Sequence, residues 1–233
     1  MRTDPTQRAA QVRVMFGRIA PRYDLMNRLM TGGQDIRLRR EVIRRAQIPA
    51  GGRLLDLGAG TGDLTREALR QVPSCHPVAA DFTLGMMLAG KRSGEAFAWS
   101  AADALNLPFP DGYFDAVVSG FLLRNVVDLP RALREQMRVL KPGGRFVALD
   151  TTQPRRSLFS PFIHFHMHQV IPFLGGLLTG ERDAYVYLPE TSEHFLLAED
   201  LLARIQAAGF QGAGFQRMMF GTTAIHWGDK PGL

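Results

Sequence analysis

The chain has 233 residues, 45% of them hydrophobic, and a formal net charge of +6. That length fits one α/β domain with a modest lid, and the apolar share supports a sizeable core, which excludes a disordered or collagen-like chain. The single Cys75 excludes an intramolecular disulfide framework and makes a reducing cytosol the natural compartment, while the polar first residues lack a secretory apolar region and no apolar run reaches the roughly 18 residues of a spanning helix.

Residues 6–48 read as helices: Val12, Phe16 and Ile19 fall three and four apart, and Leu38, Val42 and Ile43 form a second run. Pro21 and the pair Gly32-Gly33 punctuate them. Strands are expected at 53–58, 77–81, 97–100, 114–119 and 145–150, with helices at 62–72, 83–91 and 129–140, the last stopped by Lys141-Pro-Gly-Gly144. This alternation predicts a mostly parallel sheet with helices on both faces. Residues 153–196 break the rhythm, being apolar, aromatic and interrupted by Pro and Gly, as a lid is. A helix at 198–208 and two closing strands over 211–228 complete one domain spanning 1–233, with 1–48 as an N-terminal helical cap and 153–196 as an inserted substrate lid.

The excess charge sits at the front: residues 1–45 hold eleven arginines against four acids. Such a surface attracts nucleic acid or anionic lipid, or is a solvated helix face. Nucleic acid is disfavoured, because the chain has no Asp/Asn-Pro-Pro-aromatic segment and no aromatic–basic interleaving. The oily stretch 158–178 beside the basic front points instead to a peripheral membrane contact.

The first strand runs into Asp56-Leu57-Gly58-Ala59-Gly60-Thr61-Gly62-Asp63. Glycines there let the backbone turn tightly and approach a ligand, and the following helix offers its N-terminal amides to an anion. The spacing differs from the dinucleotide pattern and suits the carboxylate and amine of a methionine-derived ligand. Asp81 closes the second strand, where a carboxylate can accept both ribose hydroxyls or serve instead as a helix N-cap. Asp103 follows the third strand beside Ala104, placed to bond an adenine amino group while the small neighbour admits the ring. Phe82 and Met86 can pack against that ring or belong to the core. These acids and the glycine loop stand at the carboxyl ends of three successive strands, where open α/β sheets bind ligands.

With these residues in view, the chain resembles the ubiquinone/menaquinone biosynthesis C-methyltransferases. The resemblance is carried by Met15-Phe-Gly-Arg-Ile-Ala-Pro-Arg-Tyr-Asp-Leu-Met-Asn-Arg-Leu-Met-Thr-Gly-Gly33, by Leu54 through Thr65, and by Leu107-Pro-Phe-Pro-Asp through Leu123-Arg124-Asn125-Val126. Lys141-Pro-Gly-Gly-Arg, Tyr185-Val-Tyr-Leu-Pro-Glu190 and Ala224-Ile-His-Trp-Gly-Asp-Lys-Pro231 follow in family order. It implies a Rossmann-like fold binding S-adenosyl-L-methionine, with a seven-stranded sheet whose last strand is antiparallel, and a polyprenylated quinol substrate, demethylmenaquinol before a benzoquinol. It implies cofactor roles for Thr61, Asp81, Asp103 and Ala104, with Asp56, Gly58, Gly60, Gly62, Phe82 and Gly120 beside them. Arg124 and Asn125 fall in the family's catalytic neighbourhood, and Tyr23 matches a tyrosine near its substrate. A homodimer is common in the family. The chain departs from the pattern at Gly120, where a Ser is usual, at Leu122, where the block has Gly, and at Ala184, where a Ser is usual.

Methyl transfer to a ring carbon needs that carbon made nucleophilic by loss of a hydroxyl proton. Arg124 is expected to stabilise the resulting oxyanion and polarise a water, since a guanidinium is itself a poor base, or else to pair with an acid such as Asp128. Asn125 is expected to fix that water or a quinol oxygen. No metal site is expected. His164, His166 and His168 share no carboxylate or Cys at ligand spacing and fit a lid. His226 reads equally as a site residue and as a core histidine.

Overall fold

The computed structural model describes residues 14–91, 97–153 and 195–232, with the single positions 165, 169, 170 and 173. The lid region 153–196, its histidines and Tyr185–Glu190 therefore fall almost wholly outside the described residues. Residues 14–19 are helical (α1) and lead through a 3-10 turn, Ala20–Arg22, into α2 (Tyr23–Met30) and α3 (Gln34–Ala46). There follow β1 (Arg53–Leu57), α4 (Asp63–Gln71), β2 (His76–Asp81), α5 (Leu84–Lys91), β3 (Ala98–Ala101), β4 (Phe114–Gly120) and α6 (Leu129–Val139). β5 (Leu140–Thr151), α7 (Ala198–Ala207), β6 (Gln211–Met218) and β7 (Thr223–Asp229) complete the order.

The strands form one seven-stranded sheet in the order β3-β2-β1-β4-β5-β7-β6. β3, β2, β1, β4 and β5 pair in parallel, and β7 runs against both β5 and β6. The sheet is a doubly wound one with its switch point between β1 and β4. Alternation along each strand sorts the core onto two faces. Leu54, Ala116, Val118 and Val147 pack under Leu38, Val42, Leu64 and Ala68 of α3 and α4. Leu55, Val117, Phe146 and Ala148 pack under Leu133 of α6 and Leu201 and Ile205 of α7.

Helix boundaries follow local chemistry. α6 starts where Asp128 Oδ1 accepts the Arg131 N–H at 2.9 Å with Pro130 in the first turn, an arrangement that satisfies an orphan donor and removes another. It stops one residue before the expected 140. Lys141-Pro-Gly-Gly, expected to lie outside the fifth strand, is an irregularity within β5: Leu140 already pairs with Phe114, and the register resumes at Ala116 and Arg145. Gly143, at φ 74°, accommodates the extra residues.

Two features fasten the first helices to the rest. The Arg45 guanidinium lies 4.1 Å from the Trp227 ring centroid on β7, and Arg145 Nε donates to the Arg45 carbonyl at 2.7 Å. Arg39 pairs with Asp35 on its own helix and, at 2.9 Å, with Asp63 at the start of α4. On the other side of the glycine turn, α5 presses close: a methyl group at Gly90 would lie 2.5 Å from the Thr61 carbonyl oxygen and 2.5 Å from Trp99 Cη2. Gly90→Ala is expected to destabilise the fold by about 1–3 kcal/mol through overpacking, offset in part by about 1 kcal/mol of helix propensity. A lowered thermal midpoint checks it; an unchanged or raised one would show that α5 slides freely.

Candidate active site

The loop after β1 is pinned by the strand beside it. The N–H groups of Gly58 and Ala59 both donate to the Ala80 carbonyl, at 2.8 and 3.0 Å. Gly60 N–H donates to Asp81 Oδ2 at 2.8 Å, and Thr83 N–H to Asp81 Oδ1 at 2.6 Å. Gly58 and Gly60 sit at φ 69° and 59°, where a side chain is strained. At Gly58 a Cβ would also lie 2.9 Å from Leu122 Cδ1. The loop therefore carries open backbone beside a fixed carboxylate.

A cavity of about 500 Å³ opens over this loop, at the switch point of the sheet. Of the residues the sequence singled out, Tyr23, Gly58, Gly60, Asp81, Phe82, Asp103, Ala104, Gly120 and Asn125 line it, as does Met86. Asp103 holds its own turn, with Oδ1 accepting the Leu105 N–H at 2.9 Å. Asp56, Thr61, Gly62 and Arg124 are not in the cavity wall. Asp56 lies beneath the loop, fully buried, and its Oδ2 accepts from the Thr65 backbone and hydroxyl at 3.0 and 2.7 Å, which anchors the first turn of α4. The Thr61 hydroxyl donates to Asp24 Oδ1 of α2 at 2.7 Å, so it ties the N-terminal helices to the loop. Gly62 is the left-handed residue before α4.

Arg124 is the clearest departure from expectation. It is 9% exposed, and its partner is Asp150 at the end of β5, not Asp128. Nη1 donates to Asp150 Oδ1 at 2.7 Å and the Arg124 backbone N–H to Oδ2 at 3.2 Å. The turn that brings them together begins at Phe121, a non-glycine residue at φ 61° whose N–H bonds the Leu149 carbonyl at 2.7 Å. It also sets Leu122 against Gly58 and puts Asn125 in the wall, with Asn125 Nδ2 donating to the Phe121 carbonyl at 3.0 Å. Sequence reasoning missed Leu57, Thr83, Phe121, Leu122, Val126 and Val127 as lining residues. Five of them are apolar, a character that does not separate wall from core, and Thr83 reads only as a helix-start residue.

Burial sets the protonation states. It pushes the Tyr23 phenol up, while the neighbouring Asn27 amide and the charge of Arg124 act in the other direction. Burial also pushes Asp81 up against the N–H groups of Thr83 and Gly60, and pushes Asp24 up with help from Asp63. Among the described residues no group of three or more His, Cys, Asp or Glu gathers as a metal site would.

With this geometry, residues 4–230 match the ubiE/COQ5 methyltransferase family. The chain belongs to that family. It is 43% identical over 221 residues to the ubiquinone/menaquinone biosynthesis C-methyltransferase of Desulfotalea psychrophila, covering 94% of this chain and 90% of the relative. It is 45% identical over 221 residues to the demethylmenaquinone methyltransferase of Thermus thermophilus, covering 93% and 100%. In fold it is similar to a SAM-dependent methyltransferase of Thermotoga maritima, with a TM-score of 0.64 at 19% identity over 94% of this chain and 99% of that one. Leu122 fills the space directly beside Gly58 of the glycine loop.

Asp56 gives a test of the loop's foundation. Burial, reinforced by the charge of Asp81, raises its pKa to about 7 from the usual 3.8. The folded state then binds this proton more tightly than the unfolded chain. Stability from Asp56 is complete below about pH 4 and is lost as pH rises through about 7. Asp56→Asn removes that dependence, so the melting temperature of the native protein minus that of the variant should fall as pH rises between about 4 and 7. A difference independent of pH would show that Asp56 ionises normally.

Proposed function

We propose that this family member transfers a methyl group from S-adenosyl-L-methionine to a ring carbon of a polyprenylated quinol, converting demethylmenaquinol to menaquinol. The observation that carries this is the meeting of the glycine loop, Asp81 and Asp103, from the ends of β1, β2 and β3, around one cavity in a chain of this family. The Thermus thermophilus relative bears the demethylmenaquinone name, while the Desulfotalea psychrophila name spans both quinones. A benzoquinol of ubiquinone synthesis is the second reading.

The residues fit the donor. Asp81 lines the cavity with the Gly60 N–H on one oxygen and the Thr83 N–H on the other, a carboxylate placed to accept ribose hydroxyls. Ala102 and Ala104 leave room for a flat ring beside Asp103. The glycine loop offers the methionyl part backbone with no side chain in the way. When bound, the sulfonium donor supplies an electrophilic methyl group.

What this chain supplies is alignment and charge. Holding the reacting carbon in line contributes about 7–11 kcal/mol to such reactions. Tyr23 keeps its proton, because burial raises its pKa, so its O–H donates to a quinol oxygen where negative charge develops. Arg124 works from behind the wall: its positive charge, fixed by Asp150, favours negative charge at the Tyr23 oxygen. Asn125, also in the wall, holds the quinol or its bound water.

We also propose a peripheral membrane contact that admits the tail. Leu25 and Leu29 on α2 and Leu84 and Leu88 on α5 are exposed, with Arg18, Arg22 and Arg28 exposed beside them. α5 packs against the Ala20–Arg22 turn, and Phe82 both lines the cavity and is exposed at its mouth. Among the described residues no helix is long and apolar enough to cross a membrane.

Incubated with the donor and each demethylated quinol, the protein is expected to yield the ring-methylated naphthoquinol by mass spectrometry; no methylated product from either quinol would end this reading. Asp81→Ala should weaken binding of S-adenosylhomocysteine by roughly 10- to 100-fold in calorimetry, the value of losing hydrogen bonds to a charged acceptor. Vesicles containing anionic lipid should carry the protein upward in flotation, and neutral vesicles should not.

A further inference from the structure

His226 is a buried titratable residue that the chemistry above leaves unused. It lies on β7, 1% exposed. Its Nε2 is 2.9 Å from the Ala198 carbonyl oxygen. A carbonyl oxygen only accepts, so Nε2 carries the hydrogen and Nδ1 keeps its lone pair. Nδ1 is buried and has no hydrogen-bond partner among the described residues. The Phe215 ring stacks on the imidazole, centroids 5.3 Å apart and 26° between planes, which fixes the ring's orientation. Burial pushes the imidazole pKa down, so the ring stands neutral and able to accept a proton. Three charged groups face it: Asp150 from β5 and Glu199 from α7 favour its cation, and Arg217 from β6 opposes it.

The register connects this base to the cavity. His226 pairs with Ala148, and Asp150 with Ala224. By the two-residue alternation Asp150 and His226 share one sheet face as diagonal neighbours, about 7–8 Å apart. Asp150 in turn grips Arg124 through Nη1 and the backbone N–H, and Asn125, the next residue, lines the cavity. Ser119 pairs with Ala148 from the other side. The Ser119 hydroxyl, Arg124 Nε and Asn125 Oδ1 are all buried with no partner among the described residues, like His226 Nδ1. Polar groups with unused hydrogen-bonding capacity thus run from the cavity wall past a small alanine to the imidazole. Such capacity calls for water.

We propose that His226 accepts the proton of the quinol hydroxyl, relayed from the cavity by water held along the Asn125–Arg124–Asp150 chain. The inference rests on the quinol reading above. The quinol O–H bond breaks and leaves its electron pair on oxygen. The proton joins a bridging water as that water's own proton passes to Nδ1, and Asp150 balances the imidazolium charge. The charged ring forms its carbon–methyl bond as the donor's methyl–sulfur bond breaks. The hydrogen left on that ring carbon then moves as a proton to the quinol oxygen and restores the aromatic ring. The one net proton per turnover is the one His226 returns to solvent through the same water.

His226→Gln keeps an N–H for Ala198 and removes the base. The folded variant, with S-adenosylhomocysteine affinity and melting behaviour like the native protein, should show kcat reduced about 100-fold at neutral pH. The acid limb of native kcat against pH should give way to a rate that rises steadily with hydroxide. Native kcat and an unchanged limb in folded His226→Gln overturn the proposal while leaving quinol methylation intact, whereas a native protein inactive on every quinol overturns both. If the variant does not fold, native protein carrying ¹⁵N-histidine decides. His226 should show the Nε2–H tautomer and titrate at Nδ1 at the pH of the kinetic limb. An Nδ1 already protonated at neutral pH, or silent from about pH 5 to 8, overturns the proposal.

Discussion

Ala80 and Asp81, the last two residues of β2, hold the loop that follows β1. One carbonyl takes two loop N–H groups and one carboxylate oxygen takes a third. A Gly-rich segment loses more conformational entropy on ordering than any other, so without these bonds it would sample many shapes. The carboxylate proposed to receive the ribose is thus the group that sets the loop's geometry. Below it, Asp56 ties the same loop to α4, and above it Thr61 ties it to α2 through Asp24. The loop is fixed from three directions, and the cavity inherits that order.

Much of this was legible in the residues. Alternating strand and helix patterns gave the sheet, because a strand buried on both faces leaves a continuous apolar run such as Phe146–Leu149. The glycine spacing marked the loop, and the acids at 81 and 103 marked its neighbours. Partner choice across the fold was not legible. Arg124 could be read toward Asp128, four residues on, but it bonds Asp150, 26 residues away. Only the parallel pairing of β4 with β5 and the left-handed turn at Phe121 bring those two together. Likewise the Lys141–Gly144 segment carries turn residues, yet tertiary pairing draws it into β5. The contact between Thr61 and Asp24 joins positions 37 residues apart and leaves no trace in local pattern.

The buried Arg124–Asp150 pair also separates stability from chemistry. Removing one member of such a pair strands the other's charge, typically at about 3–5 kcal/mol. A loss of activity on changing either residue therefore mixes unfolding with mechanism. Residues that line the cavity without bearing a buried charge, Tyr23 and Asn125, report on chemistry more directly.

The fastening of the first helices to the last strand has a consequence for biosynthesis. Phe16 and Tyr23 form part of the cavity wall, and α3, which follows them, is latched by the stacking of Arg45 on Trp227 and by Arg145, itself paired with Asp229. Domains fold as the chain emerges from the ribosome, N-terminal parts first. Here α2 and α3 can take hold of the glycine loop and α4 early, through Asp24 and Asp63, whereas the latch on β7 forms only with nearly the last described residues. The cap is thus fastened in two stages, first at the loop and last at the far edge of the sheet.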